Sequence, residues 1–213
     1  MLKDEVFLMI KGHQKGEEKM NKRCVACSRE EYESIVKTIR EGFELEGVKV
    51  RPNQRIATII VTEATLGLRL GDVLRLKMSS FVRDGERYRL DFEEEKTGKI
   101  RTFTVPDEVY NFLQGYAYEW GIGKESKLFD ICERQVQRHI MKAVAYLGID
   151  PKHAGSHMFR KYYAQMSYKE SDYDIMTVME LLQHSSPQTT KTYLAATKEN
   201  IEKVIQKSVK NLI

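Results

Sequence analysis

Residues 80–105 read SFVRDGERYRLDFEEEKTGKIRTFTV. Tyr88, Leu90 and Phe92 recur there at every second position, the period of a strand with one covered face. Asp84-Gly85 and Lys96-Thr97-Gly98-Lys99 interrupt the alternation with residues suited to turns, and Pro106 ends it. These features predict a three-stranded antiparallel meander. On both sides of it the period becomes helical. Ser28 followed by Glu31 forms a capping box ahead of Tyr32, Ile35, Val36, Ile39 and Phe43, in a helix that ends between Gly42 and Gly47. Pro52 suits the first turn of a second helix carrying Ile56, Ile59, Ile60 and Ala64, which breaks at Gly67 before a short helix holding Leu70, Val73, Leu74 and Leu76. After Pro106 the pattern predicts helices over 107–119, 133–147, 156–169 and 174–183, a short one capped by Ser186-Pro187, and a last one over 198–211. The fold class is therefore α+β, mainly α-helical with a small three-stranded antiparallel β-sheet.

A chain of 213 residues supports one full domain with a short appendage. Residues 1–27 are polar and lysine-rich, an arm or linker remnant, and residues 28–213 are the folded domain. Lys+Arg 35 against Asp+Glu 31 gives a net charge of +4, on 41% hydrophobic and 31% charged residues, which excludes a disordered tail or a fibre. With no membrane-length apolar run and no secretory leader at the start, the expectation is a soluble cytoplasmic protein without a membrane partner. Three cysteines, an odd number, fit a reducing compartment. Cys24-x-x-Cys27 has the spacing of a zinc half-site, but even with His13 a fourth ligand is missing, so no metal is expected. Charge is uneven: from Arg134 to Glu170 there are seven Lys or Arg and three histidines against two acids. That segment fits either a polyanion-binding surface or a solvated helix face.

His157-Met158-Phe159-Arg160 puts an imidazole and a guanidinium three residues apart, on one face of a helix. Arginine offers a permanent planar fork of donors to phosphate oxygens, and histidine exchanges a proton near neutral pH. Further on, His184 and Tyr193 flank the Ser186-Pro187 cap within the block Leu181-Leu182-Gln183-His184-Ser185-Ser186-Pro187-Gln188-Thr189-Thr190-Lys191-Thr192-Tyr193-Leu194. Upstream lies Thr65-Leu66-Gly67-Leu68-Arg69-Leu70-Gly71-Asp72. Taken singly, Tyr193 fits a half-buried core tyrosine, Arg69 a helix-capping side chain, Lys96 an ordinary turn lysine and His184 a satisfied core histidine. The His157-Arg160 pair fits phosphoryl chemistry.

The order Arg69, Lys96, His157-x-x-Arg160, His184, Tyr193 resembles the tyrosine recombinases, the phage-type integrases, over about residues 25–197. The resemblance implies the catalytic-domain fold of that family and a site-specific DNA recombinase or integrase. Tyr193 would be the nucleophile, Arg69 and Arg160 would hold the scissile phosphate, His184 would donate a hydrogen bond to it, and His157 would handle protons. Lys96 would be the general acid for the departing 5′ oxygen, with Lys99 its neighbour and rival, and Asp72 would orient active-site groups. No cofactor is implied. The implied partners are double-stranded DNA, three further copies of the chain on paired sites, and accessory DNA-binding factors; the stripe Ile201, Val204, Ile205 and Val209 fits either a contact with a neighbouring copy or docking on the chain's own core. Leu66 departs from the family's usual threonine and Gln183 from its usual glycine, while Lys161 keeps a cation after Arg160. Residues 1–27 are too few for the family's helical core-binding domain. The alternatives are a type IB topoisomerase-like enzyme and a non-catalytic DNA-binding relative acting as a regulator or architectural factor.

Overall fold

The computed structural model describes residues 24–93, 98, 100–150, 155 and 157–194. Its elements run α1 (Arg29–Glu41), β1 (Phe43–Leu45), β2 (Val48–Val50), α2 (Gln54–Leu66), α3 (Leu70–Val73), β3 (Phe81–Asp84), β4 (Arg87–Glu93), β5 (Ile100–Val105), α4 (Asp107–Glu119), α5 (Glu133–Tyr146), α6 (Met158–Glu170), α7 (Ile175–Leu182) and α8 (Pro187–Leu194). The chain divides into two compact units between Tyr163 and Ala164. The expected helix over 198–211 lies outside the described residues.

In the first unit, α1 starts at the capping box the sequence predicts. Ser28 Oγ accepts the Glu31 N–H at 3.1 Å, and the Ser28 N–H donates to Glu31 Oε2 at 2.8 Å. Helix α1 packs on α2 and α5, and Ile35, Ile39, Ile56, Ile59 and Ile60 are buried in one hydrophobic cluster. The stacked rings of Tyr32 and Tyr162, 4.9 Å apart, join α1 to α6.

The expected meander forms as β3-β4-β5, antiparallel throughout. Leu90 is its centre, paired with Phe81 on one side and Phe103 on the other and fully buried. Tyr88 stacks on Tyr110 of α4 with ring centroids 3.4 Å apart, which fastens the sheet to that helix. The first turn differs by one residue from the sequence reading. Asp84 pairs with Arg87, so the turn pair is Gly85-Glu86, with Gly85 taking the positive φ of 63°.

A second correction concerns Phe43. The apolar spacing assigns it to the first helix, but that helix stops at Glu41 and Phe43–Leu45 pairs with Val48–Val50 in a two-stranded hairpin. Glu46 and Gly47 both have positive φ (51° and 75°), as a two-residue type I′ turn requires. Strands of three residues are too short to show alternation, and Phe43 falls by chance in the helical register. Pro52 also stands just outside its helix. Asn53 is the N-cap of α2, its side chain accepting the Ile56 N–H at 3.0 Å.

In the second unit α7 is capped by Asp174, whose carboxylate accepts the Met176 and Thr177 N–H groups. It ends at Gln183 in the left-handed conformation (φ 50°, ψ 41°), with the Gln183 N–H donating to the Glu180 carbonyl at 2.9 Å. This is the position where the sequence departs from glycine. Left-handed backbone brings a Cβ close to the following carbonyl, and glycine avoids that contact. Gln183→Gly is therefore expected to raise stability by up to about 1 kcal/mol, read as a higher urea midpoint at unchanged slope.

Candidate active site

Arg69 occupies the N-cap position of α3 with extended backbone (φ −74°, ψ 149°). Its Nη1 lies 3.9 Å from Oδ2 of Asp72; the Asp72 side chain is 2% exposed and that of Arg69 19%. A buried carboxylate thus lies beside a guanidinium that still reaches solvent.

Arg160 is held differently. Its side chain is wholly buried, and Nη1 donates to the carbonyl of Gly67. Gly67 ends α2 in the left-handed conformation (φ 60°, ψ 23°), with its N–H on the Glu63 carbonyl at 3.0 Å. A Cβ on Gly67 would collide with the ring of Tyr163. One glycine thus terminates α2, accepts Arg160 and admits Tyr163, and Arg69 follows two residues later. The break predicted at Gly67 therefore sets the positions of both arginines.

His157 stands at the turn that opens α6, half-buried, and its carbonyl accepts the Lys161 N–H at 2.9 Å. The sequence reading placed it inside a helix over 156–169. The helix begins two residues later than that, at Met158, just after His157. The Lys161 ammonium donates to the Cys24 carbonyl, tying the segment before α1 to α6. Glu63, one turn before Gly67, is 1% exposed. Burial pushes its carboxyl well above the usual carboxylate range, opposed by the nearby Arg160 guanidinium.

In the second unit His184 follows the C-cap of α7, its N–H donating to the Met179 carbonyl at 3.0 Å. Its Nδ1 lies 3.0 Å from Oγ1 of Thr190, a fully buried residue of α8. Three residues further along α8, the half-buried Tyr193 sets its ring edge-on to His184, with centroids 4.7 Å apart. Ser186 caps α8 as predicted, its Oγ accepting the Thr189 N–H at 3.4 Å. The second unit therefore brings His184 and Tyr193 together, and the first unit links Arg69, His157 and Arg160 through the Gly67 loop and the start of α6. Lys96 and its rival Lys99 lie in the connection between β4 and β5, outside the described residues.

Cys27 is buried, and burial pushes its thiol up to about 12. Burial also raises the Cys24 thiol. His13 lies outside the described residues. Among the described residues no helix is long and apolar enough to cross a membrane.

Sequence reasoning passed over Glu63 and Thr190. Glu63 falls on the stripe that Ile56, Ile59 and Ile60 define, and an acid on a buried helix face was the available signal. Thr190 carried none beyond its place in the quoted block.

The profile of the phage integrase family matches residues 26–200. No curated protein matches the chain by sequence. Among solved structures, the XerH site-specific recombinase bound to a palindromic difH substrate in a post-cleavage complex is similar at 20% identity and TM-score 0.64, over 91% of this chain and 56% of that one. The catalytic domain of bacteriophage HP1 integrase is similar at 17% identity and TM-score 0.59, over 86% of this chain and 95% of that one. A lambda integrase dimer bound to a COC′ core site is similar at 18% identity and TM-score 0.60, over 91% of this chain and 56% of that one. At these identities the likeness is one of fold. The chain spans 56% of the XerH and lambda chains, little more than half their length.

Gly67→Ala is expected to cost about 2–4 kcal/mol, from left-handed strain together with the Tyr163 collision. Gly47→Ala, where an added Cβ meets nothing within 4 Å, should cost only about 1–2 kcal/mol. Urea unfolding of both variants measures the difference.

Proposed function

The chain belongs to the phage integrase family, and from that premise we propose that it is a site-specific tyrosine recombinase. It cuts and rejoins double-stranded DNA through a covalent 3′-phosphotyrosine. The observation that carries this reading is the pairing of Tyr193 with His184, whose ring is fixed through buried Thr190. The solved recombinases of similar fold, described as bound to DNA substrates or core sites, add support.

In this mechanism the Tyr193 oxygen attacks the scissile phosphorus, the bond to the 5′ oxygen breaks, and the tyrosyl ester conserves the energy needed to rejoin a strand. A phenol has an ordinary pKa of about 10, so attack near neutral pH needs a proton acceptor and a cationic setting. His157 takes the proton, and Lys96 supplies one to the departing 5′ oxygen. Arg69 and Arg160 meet the non-bridging oxygens, where charge accumulates as the fifth ligand arrives, so they act mainly on the transition state. A Thr190 hydroxyl donating to Nδ1 of His184 leaves the ring proton on Nε2, the arrangement that donates to a phosphoryl oxygen. Residues 28–213 are the catalytic domain, 1–27 an arm, and the protein acts in the cytoplasm as a tetramer on paired sites, with accessory DNA-binding factors.

Nicked duplexes from a randomised-sequence pool test the chemistry. Wild-type protein should retain DNA through denaturing electrophoresis and Tyr193→Phe should retain none; equal retention would move the nucleophile to another residue. Deletion of residues 198–213 removes the stripe Ile201, Val204, Ile205 and Val209. On the captured duplex it should abolish tetramers in sedimentation, with thermal unfolding of the truncated protein unchanged. Tetramers of normal size would count against assembly through that segment.

A further inference from the structure

Lys161 has no part in the mechanism above, yet it follows Arg160 directly on α6. Its ammonium donates to the main-chain carbonyl of Cys24, 137 positions away. Cys24 meets the same stretch a second time, through its side chain. A Cβ added to Gly155 would stand 2.9 Å from both Cβ and Sγ of Cys24, so the two residues are packed together with no room for a methyl group. Gly155 lies outside the left-handed region, so an added side chain would meet crowding there and not backbone strain. Between the two contacts, Gly155 on one side and Lys161 on the other, stand His157 and Arg160. The Gly155 carbonyl accepts the Met158 N–H at 3.0 Å and the His157 carbonyl accepts the Lys161 N–H at 2.9 Å, so both clamped points belong to the turns that open α6.

The ammonium-to-carbonyl bond is charge-assisted, and the close contact of Cys24 with Gly155 leaves the chain little slack. We propose that Lys161 is a positioning residue: through Cys24 it clamps the segment ahead of α1 onto the opening of α6, and so holds His157 and Arg160 where they face a phosphate, without itself touching DNA. This rests on the reading of His157 and Arg160 as groups that act on the scissile phosphate. Burial raises the Cys24 thiol, with the Lys161 ammonium and the backbone of Gly155 and His157 acting against it, which agrees with a side chain seated over this turn.

The two halves of the clamp can be broken separately. Lys161→Met removes the donor and keeps an unbranched apolar stem, whereas Lys161→Arg keeps a donor. Gly155→Ala pushes Cys24 away, and Cys24→Gly removes both atoms the new methyl group would meet. The two changes should therefore be non-additive. Gly155→Ala should slow cleavage about fivefold or more in the otherwise wild-type protein, and less than about twofold in a Cys24→Gly background.

The test has a DNA arm and a DNA-free arm. In the first, single-turnover cleavage is followed on the duplex that wild-type protein captures. Lys161→Met should be slower by about tenfold, and Lys161→Arg should recover most of the rate. Duplex affinity, measured in a Tyr193→Phe background, should change less than about twofold with the same salt dependence, which separates positioning from binding. A loss carried by affinity, with the salt slope reduced by about one, makes Lys161 a phosphate contact and overturns the proposal. A Lys161→Met rate equal to wild type overturns it too, as does an equal cost of Gly155→Ala in both backgrounds. Should Lys161→Met fail to fold, the pair Gly155→Ala and Cys24→Gly decides by the same criterion. The DNA-free arm follows amide hydrogen exchange at residues 158 and 161, whose N–H groups close the opening turns of α6. Lys161→Met should speed both by about tenfold while the amides of β3, β4 and β5 keep their wild-type rates, and Lys161→Arg should leave all of them unchanged. Unchanged exchange in Lys161→Met, or a rise shared equally by the sheet, sinks the proposal even where DNA is captured. Faster exchange confined to α6 in a protein that captures no DNA sustains the clamp and places the failure in the recombinase reading.

Discussion

Arg160 is a fully buried cation tied to the carbonyl of Gly67, and most of the first unit is arranged so that this contact can exist. Burying a permanent charge is costly unless acceptors replace the lost water. A helix end supplies one, because the last carbonyls of a helix lack intrahelical partners. Helix α2 must therefore stop where it does, and it can stop there only because residue 67 tolerates positive φ and carries no side chain against Tyr163. The isoleucine cluster of α1 and α2 holds that helix end in place, so core packing sets the geometry around a charged group.

The two arginines are thereby held in contrasting ways. Arg69 is partly exposed and braced by a buried acid one turn along, while Arg160 is enclosed and anchored to the main chain. An enclosed guanidinium loses little side-chain freedom when it engages a ligand, because that freedom is already spent in folding. An exposed one retains reach. In the reaction proposed above, one fixed and one adaptable donor would share the load between preorganisation and capture.

Much of this was legible in the residues. The capping box at Ser28, the alternation around Leu90, the break at Gly67 and the Ser186 cap each have a local cause written in a few neighbouring side chains, and each lies where it was expected. The hairpin at Phe43–Val50 was not legible, because three-residue strands carry no period and Glu46-Gly47 is a weaker turn signal than asparagine-glycine. The candidate site was proposed from an ordered set of residue types. The supports of its residues were not legible: that Arg160 would meet the carbonyl of Gly67 depends on which helices pack together, and no local pattern encodes that.

The histidine-tyrosine pair joins residues nine apart, with Thr190 between them, whereas Arg160 reaches across 93 positions to Gly67. Short-range links close cheaply and early, and long ones wait for the loop between them to be ordered. A chain emerging from synthesis therefore has no finished anion cradle until α6 has docked on the end of α2. If Tyr193 is the attacking group, a chain cut short before residue 193 holds Arg69 and Arg160 but lacks the phenol, so it has no means of forming the ester.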